Sequence, residues 1–283
     1  MRSVAPPLGR FGVWLSPRYG DAQVSFAIEA EKLGYGTVWL GQGMAEVAGL
    51  ADVETILDGT ERITVATGIV NMWTNDPDVV AASFRRIEQR HPGRFLLGVG
   101  VSHPEAVSSY RRPLATMVEY LDRLDAGDVP RDRRILAALG PRALELAGER
   151  TAGTHPYLVV PEHSRVARDA VGPSGIVAPE QTAVLDPDPE AARALAREFL
   201  NNPYLKLRNY VANLQRLGYT EQDVADGGSD RLVDDLVPHG TAEQVVRALS
   251  AHLDAGADHV AIQALAARGG NPMDGLRALA AVL

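Results

Sequence analysis

The sequence contains no cysteine. Disulfide bonds, zinc sites built from thiolates and cysteine nucleophiles are therefore excluded. The histidines lack the spacing of a metal-binding motif, and we predict no metal site. Without such cross-links the fold must be stabilised by a buried apolar core. A chain of 283 residues that is 46% hydrophobic is long enough to bury one.

The sequence also has no long apolar run and no excess of positive charge. No stretch reaches the roughly 20 apolar residues that cross a membrane, and residues 1–10 lack the pattern of a secretory signal. We therefore expect a cytoplasmic protein that binds no membrane. The net charge of −8 argues against binding to nucleic acid, because that function needs a basic surface. An anionic ligand would have to be held by local positive groups.

What the sequence does contain is a series of eight short apolar runs. Each run has the length and the β-branched content that are typical of a buried parallel strand. The runs lie at residues 11–15, 37–41, 63–70, 94–101, 135–139, 156–160, 176–185 and 258–265.

Helical segments lie between the runs, and some of them have recognisable starts. Asp76 followed by Pro77 is typical of an N-cap and a first helical residue. Thr241 with Gln244 three residues later is typical of a capping box. Asp21 is a further candidate N-cap. Alternation of strands with helices indicates an α/β fold with a parallel sheet.

Eight strand–helix units in 283 residues predict a single (β/α)8 TIM barrel domain over residues 1–283. A doubly wound open sheet is the alternative, but no linker divides the chain in the middle, which favours the barrel. The stretch from 187 to 240 is too long for a simple crossover between strands. It predicts a helical insertion between strands 7 and 8, with helices over residues 187–200, 204–216 and about 221–236.

The fourth run ends in the stretch GVGVSH, residues 98–103. It is not a dinucleotide fingerprint, because His103 stands where the third glycine belongs and no helix starts directly behind it. In a barrel the carboxyl ends of the strands face the active site. Gly98 and Gly100 would let a ligand ring approach the backbone there, with His103 at the rim. Alternatively, the glycines only fit a crowded interior and His103 is a solvated loop residue.

Three longer stretches resemble the luciferase-like monooxygenase superfamily: ERITVATGIVNMWTNDP, HPGRFLLGVGVSHPEA and AALGPRALELAGERTAGTHPYLVVPEH. The resemblance is greatest to the actinobacterial subgroup of oxidoreductases that use the deazaflavin coenzyme F420. It covers about residues 10–170 and resumes at 237–265, and it rests on the order and spacing of the motifs. The family fold is a (β/α)8 barrel with an insertion late in the chain, in agreement with the pattern of strands and helices.

The resemblance implies that the cofactor ring lies over the carboxyl ends of the strands. It also implies a cis peptide bond, rare outside proline, at the end of strand 3. By position this bond would join Gly68 to Ile69, and Ile69 would lie against the ring. An ordinary trans strand, in which Gly68 fits a tight layer of the barrel, is the alternative.

Further residues at strand ends are predicted to bind the cofactor. Asn71 lies on the same side as Ile69 if the chain stays extended, and its amide could bond the polar edge of the ring. A turn residue at the strand end would explain Asn71 equally well. Gln42 follows strand 2 and would orient the ring or the substrate. The end of strand 4 would contribute Gly100, Val101 and Ser102.

The stretch ALGPRALELA joins a strand end, Ala138 and Leu139, to a helix that begins at Pro141. Free amides at a helix N-terminus attract anions, Gly140 allows close approach, and Arg142 could add a charge-assisted bond. The resemblance implies that the phosphate tail of the cofactor is held here. Many members have two adjacent glycines where this chain has only one. A plain strand-to-helix turn remains the alternative.

Hydride transfer needs reacting carbons held at about 3–3.5 Å and a proton source beside them. Some sugar-phosphate dehydrogenases of the superfamily carry an Asp-His pair after strand 2 and a glutamate after strand 4. Here Gln42 and His103 occupy these places, so we do not expect alcohol oxidation of that kind. His103 can give or take a proton near neutral pH and is the predicted general acid.

Trp14, Trp73 and His163 are predicted to line the substrate pocket. Each tryptophan lies at or just beyond the end of an apolar run, where it could equally fill the barrel mouth as structure. His163 lies near the start of the helix that follows strand 6. It is a candidate to contact an anionic tail or the substrate.

These observations predict an oxidoreductase that transfers a hydride between coenzyme F420 and a small organic substrate, a conjugated alkene, imine or carbonyl compound. The first alternative is a monooxygenase of the same superfamily that uses FMN. The second is a barrel that binds a flavin or deazaflavin without catalysis. A phosphate-binding lyase or isomerase would fit the strand pattern, but no strand end offers a convincing lysine or carboxylate pair. The resemblance also implies a homodimer.

Overall fold

The computed structural model describes residues 5–42, 48–103, 105, 112–267 and 269–283. Its strands are short and mostly buried, as expected of a sheet covered by helices. They are β1 Phe11–Leu15, β2 Thr37–Leu40, β3 Thr64–Thr67, β4 Val70–Asn71, β5 Phe95–Gly100, β6 Arg134–Leu136, β7 Gly153–Thr154, β8 Ile176–Val177, β9 Glu180–Val184 and β10 Val260–Leu265.

The strands form one parallel sheet in the order β8-β7-β6-β5-β3-β2-β1-β10-β9, with β4 also paired to β5. The two edge strands, β8 and β9, are separated by only Ala178 and Pro179, so the edges of the sheet lie next to each other. In the interior, the Trp39 ring of β2 stacks on His155 with centroids 3.9 Å apart. These features give the predicted α/β class in a TIM-barrel-like arrangement.

Helices cover the outside of the sheet and fill the long segment between β9 and β10. They are α1 Ala22–Lys32, α2 Ala51–Gly59, α3 Pro77–Arg90, α4 Pro113–Ala126, α5 Pro141–Arg150, α6 Pro161–Val171, α7 Pro189–Asn201, α8 Arg208–Arg216, α9 Glu221–Val224, α10 Asp230–Leu236, α11 Ala242–Asp254 and α12 Pro272–Ala280. Within the described ranges, none of the helices has the length and apolar character needed to cross a membrane.

The helix starts follow local capping chemistry. The Asp76 side chain accepts a hydrogen bond from the backbone of the first turn of α3, and Pro77 is its first residue. Thr241 and Gln244 form the predicted capping box of α11. Asp21 takes the predicted N-cap position of α1, but its side chain makes no capping hydrogen bond to the helix.

The sixth strand lies earlier than predicted. The sequence pattern predicts this strand at residues 156–160. The corresponding strand of the structure is β7, Gly153–Thr154. Pro156 has no N–H to donate to a neighbouring strand, and Leu158 has a φ of +53°, which ends the extended backbone. The Leu158 N–H instead donates to a carboxyl oxygen of Glu180 at 2.9 Å. An apolar run alone does not reveal these backbone limits.

Two buried clusters position the loops at the ends of the strands. One fills the interior of the sheet, and its buried members are Leu8, Trp14, Trp39, Ala66, Leu96, Ile135, Ala178 and Ala261. The other joins α7, α8 and α10 to the loop after β7, through residues such as Leu158, Leu200, Tyr210 and Leu232. The second cluster therefore fixes the segment between β9 and α11 over one end of the sheet.

Several ionisable groups are buried in this fold. Burial lowers the pKa of His155 and of His252 to about 3, and that of His163 and of His259 to about 4. Burial also raises the pKa of Glu180 to about 8. All four histidines are therefore neutral in the folded protein at neutral pH, and Glu180 is mostly protonated.

These shifts predict that acid weakens the fold. Above pH 6.5, the ordinary histidine pKa, neither state protonates the four histidines appreciably. Below it the unfolded chain binds protons that the folded chain does not, so each histidine lowers the free energy of unfolding by about 1.4 kcal/mol per pH unit. Glu180 acts oppositely between its ordinary pKa of 4.5 and about 8, because folding keeps it protonated there. The four histidines outweigh this one group.

His252→Gln tests whether His252 is buried in its neutral form. Glutamine does not titrate and can still bond Ser164 and Gln181, the partners of the imidazole. Urea unfolding at pH 7 and pH 5 measures the loss of stability. We expect the wild type to lose about 2 kcal/mol more than the variant over this interval. Equal losses in the two proteins would contradict a buried neutral histidine at this position.

Candidate functional site

A cavity of about 1000 Å³ lies at the carboxyl ends of the strands. Residues directly after β3, β5, β6 and β7 line it, together with the last residues of β1 and β10. The segment of α7 and α8 closes one side with Phe199, Pro203, Tyr204, Asn209, Tyr210 and Arg216. Parallel strands bring their carboxyl ends together, so residues far apart in the sequence meet at this mouth.

Glycine shapes the floor of the cavity. The peptide bond between Gly68 and Ile69 is cis, as the sequence prediction had placed it, and both residues line the cavity. A Cβ on Gly68 would lie 2.6 Å from Nε1 of Trp14, so no larger residue fits without moving the indole. A Cβ on Gly100 would lie 3.3 Å from the Ile69 side chain. Gly100 therefore lets Ile69 pack directly on the β5 backbone.

The N-terminus of α5 forms an open end of the cavity. Gly140 is the N-cap residue with φ −86°, and no side chain caps the helix. Apart from its chain neighbours, no atom of the described residues lies within 4 Å of the position that a Gly140 Cβ would take. Pro141, the first helical residue, and Arg142 line the cavity beside it. Pro141 has no N–H and the Ala143 N–H donates to the Gly140 oxygen at 3.0 Å, so among the first three residues of α5 only Arg142 has an N–H to offer an anionic group.

The charge of the cavity wall is positive although the chain is acidic. Its described lining includes Arg18, Arg142 and Arg216 and contains no aspartate or glutamate. Most arginines of the described chain are paired with carboxylates, but none of these three takes part in an ion pair within the described residues. Arg216 only donates to Asn213 at 3.1 Å. Arg216 was not predicted from the sequence, because it lies 74 positions after Arg142 in a separate helix.

His103 lies in the cavity wall and is partly buried. Burial lowers its pKa, and the opposing effects of Glu105 and Asn209 are smaller. The Asn209 amide nitrogen lies 3.3 Å from Nδ1 of His103. If the amide donates, Nδ1 accepts and the neutral ring carries its proton on Nε2.

A row of aromatic rings forms part of the cavity wall. Trp14 and Tyr157 have centroids 5.2 Å apart, and Tyr157 and Tyr204 are 5.5 Å apart. Tyr204 also contacts Tyr210 at 5.4 Å and Phe199 at 5.0 Å. Only Trp14 was predicted from the sequence. The others escaped notice because three of them come from the segment after β9, whose position over the sheet is a tertiary feature.

Most of the predicted site residues meet in this one cavity. Those that line it are Trp14, Gly68, Ile69, Val101, Ser102, His103, Ala138, Leu139, Gly140, Pro141 and Arg142. Gly100 lies directly beneath Ile69 and supports the floor without lining it. The predicted residues therefore share a location, and their individual roles stay predictions.

Four predicted residues lie outside the cavity wall. Gln42 donates from its amide to Asp52 at 2.7 Å, on the side of α2. Asn71 is fully buried and its Oδ1 accepts from the backbone N–H of Trp73. The Trp73 indole donates to the backbone oxygen of Val101 at 2.8 Å and thereby holds the end of β5. These three side chains stabilise the loops at the strand ends.

His163 is the fourth. It lies in the first turn of α6 and is almost completely buried, at 1% exposure. Burial lowers its pKa to about 4, and the positive charge of Arg216 adds to this effect. The neutral, enclosed side chain of His163 packs behind the cavity and is not part of the described lining. Its position therefore does not support the predicted contact with a ligand.

Gly140→Asp is expected to stabilise the protein. Aspartate is a stronger N-cap than glycine and places a negative charge at the positive end of α5. The open space and negative φ at this position accept a side chain. We expect the free energy of unfolding in urea to rise by a few tenths to about 1 kcal/mol. Gly140→Asn is the matched control without the charge and should give a smaller rise. A fall in both variants would contradict an open, uncapped helix N-terminus.

Comparison with known proteins places the chain in a sequence family. The model of the family described as luciferase-like monooxygenase matches residues 9–259. This range includes every predicted site residue and all strands except β10, of which it stops just short.

Two curated relatives are similar over part of the chain. A 5,10-methylenetetrahydromethanopterin reductase of Methanolobus tindarius is 25% identical over 50% of this chain and 52% of its own length. A protein of Mycobacterium tuberculosis named as a coenzyme F420-dependent oxidoreductase is 29% identical over 52% of this chain and 45% of its own length. The chain thus spans about half the length of the curated relatives that it matches.

Solved structures are similar over nearly the whole chain. An F420-dependent secondary alcohol dehydrogenase, in complex with an F420–acetone adduct, gives a TM-score of 0.74 at 16% identity, covering 97% of this chain and 98% of that one. The oxygenating constituent of 3,6-diketocamphane monooxygenase from Pseudomonas putida, in complex with FMN, gives 0.71 at 15% identity, with 97% and 96% covered. At such identities the likeness concerns the fold.

Proposed function

Because this chain belongs to the luciferase-like monooxygenase family, we propose that it is an oxidoreductase that transfers a hydride between coenzyme F420 and a small organic substrate. The substrate would carry a conjugated alkene, imine or carbonyl group. The relative and the structural neighbour named for F420 support this cofactor. The proposal includes a complete (β/α)8 barrel in which α7 to α10 form an insertion between the seventh and eighth strands.

One observation carries the proposal: a single cavity combines a flat apolar floor with an open anion-binding end. Ile69 and Val101 offer an apolar surface to a ring, and Gly140 leaves space beside the N–H and the guanidinium of Arg142 at the start of α5. The guanidinium groups of Arg142 and Arg216, for which the described part of the chain supplies no carboxylate partner, lie in the same wall. These residues fit a flat redox ring with a phosphate tail.

When bound, the cofactor would supply the hydride with its two electrons. The chain would hold the ring against Ile69, hold the tail at α5, and keep water out with the rings of α7 and α8. His103 would provide the proton that the second reacting atom of the substrate needs. Its lowered pKa makes the charged imidazole a stronger acid than usual, but reduces its population at neutral pH.

Titration of the purified chain with oxidised F420 and with FMN tests the cofactor. The observable is the change in fluorescence of the added cofactor. We expect F420 to bind at least about tenfold more tightly than FMN, a difference of about 1.4 kcal/mol. Binding of FMN alone would favour the monooxygenase, which the FMN-containing neighbour supports as second candidate. If the chain binds neither F420 nor FMN, both the F420-dependent oxidoreductase and the FMN-dependent monooxygenase are contradicted.

Variants at the anion end sharpen this test. Gly140→Asp, Arg142→Gln and Arg216→Gln should each weaken F420 binding by about tenfold, because each removes or opposes a charge-assisted contact. Arg165→Gln is the control, since Arg165 lies on the exposed side of α6 and pairs with Glu162. Unchanged affinity in all three variants would show that the tail is bound elsewhere.

His103→Gln tests the proton donor. We expect cofactor binding to be retained and the rate of hydride transfer to fall by about 10²-fold or more. In the wild type the rate should rise as pH falls toward the lowered pKa of His103, because the charged imidazole is the acid. The variant should lose this dependence. A rate profile that is the same in both proteins would remove His103 from this role.

A further inference from the structure

Arg18 is the one lining arginine on the β1 side of the described cavity wall. It lies in the short 3-10 helix Pro17–Tyr19, directly after β1. The Ser16 hydroxyl accepts a hydrogen bond from the backbone N–H of Arg18 at 3.3 Å, which fixes this turn at the cavity mouth. The Arg18 guanidinium is exposed and forms no ion pair within the described chain.

The sheet order places Arg18 far from the anion end. Three strands, β5, β3 and β2, lie between β6 and β1. In a sheet that curves round on itself, strands so far apart face each other across the mouth. Arg142 follows β6 and Arg18 follows β1, so the cavity has two positive regions on opposite sides. A cofactor tail seated at α5 leaves the region at Arg18 free for a second anion.

The described wall beside Arg18 is aromatic and includes Trp14, Tyr157 and Tyr204. The Tyr157 hydroxyl donates to the Gln263 side chain at 2.9 Å, and the Tyr204 hydroxyl donates to that of Tyr157 at 3.2 Å. Burial raises the pKa of Tyr204, and the positive charge of Arg18 opposes the rise, so the two groups share one electrostatic environment. Adjacent rings of this kind favour flat, conjugated ligands.

We propose that Arg18 binds the carboxylate of a flat, conjugated substrate that lies along the rings of Trp14, Tyr157 and Tyr204. This inference rests on the proposed function only in assigning the α5 end to the cofactor. A guanidinium recognises a carboxylate through paired hydrogen bonds as well as through charge. The absence of aspartate and glutamate from the described lining removes competition for that charge.

Calorimetric titration with trans-cinnamate and with cinnamamide, its neutral analogue, tests the proposal. The full chain is used both without cofactor and with saturating F420. We expect cinnamate to bind about tenfold or more tightly than cinnamamide, and added salt to weaken only cinnamate binding. Arg18→Gln should abolish the preference. Arg10→Gln is the matched control, because Arg10 is an exposed arginine at the opposite end of the same strand.

Three results would overturn the proposal. The first is equal binding of cinnamate and cinnamamide both with and without F420. The second is a preference for cinnamate that survives in Arg18→Gln, and the third is a preference that Arg142→Gln abolishes while Arg18→Gln does not. The F420 titration separates this outcome from that of the proposed function. A chain that binds no F420 but binds cinnamate through Arg18 would end the proposed function and keep the carboxylate site. A chain that binds F420 but shows no preference for cinnamate would keep the proposed function and end the carboxylate site.

Discussion

The parallel direction of the strands is the constraint on which the rest of the structure depends. Because every strand of the sheet runs the same way, their carboxyl ends meet at one mouth, and loops that are distant in sequence share one cavity. Trp14, Ile69, His103 and Gly140 are brought together in this way although they span more than a hundred positions. The segment after β9 then closes the side, because its own apolar cluster fixes it to the loop after β7.

Close packing at the strand ends determines the form of that mouth. A Cβ on Gly98 would lie 1.9 Å from the backbone oxygen of Thr67, so β3 and β5 can approach only where glycine is present. Gly68 and Gly100 likewise have no side chain, which leaves space for Trp14 beside Gly68 and for Ile69 beside Gly100 at the floor of the cavity. Polar side chains predicted to bind ligand, such as Gln42 and Trp73, instead hold these loops in place. Some residues therefore hold the loops of the site in position, and different residues form the surface of the cavity.

The distribution of charge separates the site from the rest of the molecule. The chain has a net charge of −8, and many of its arginines are neutralised by carboxylates on the outside of the helices. The arginines of the cavity form no ion pair within the described ranges, so the local field favours anions that the molecule as a whole repels. His155, which lines the cavity, and His163 are kept neutral by burial in low-polarity packing.

The sequence by itself determined the α/β class, the places of most strands and the capping of α3 and α11, and its family resemblance pointed to the strand-end residues from Gly68 to Arg142. These properties follow from local periodicity, from glycine and proline, and from motif order, which a linear pattern records. Only the tertiary structure decided that Tyr157, Tyr204, Tyr210 and Arg216 line the same cavity, and that His163 lies behind it. Their positions depend on how the segment after β9 packs across the sheet, and such long-range packing arises from matching surfaces that no local stretch of sequence contains.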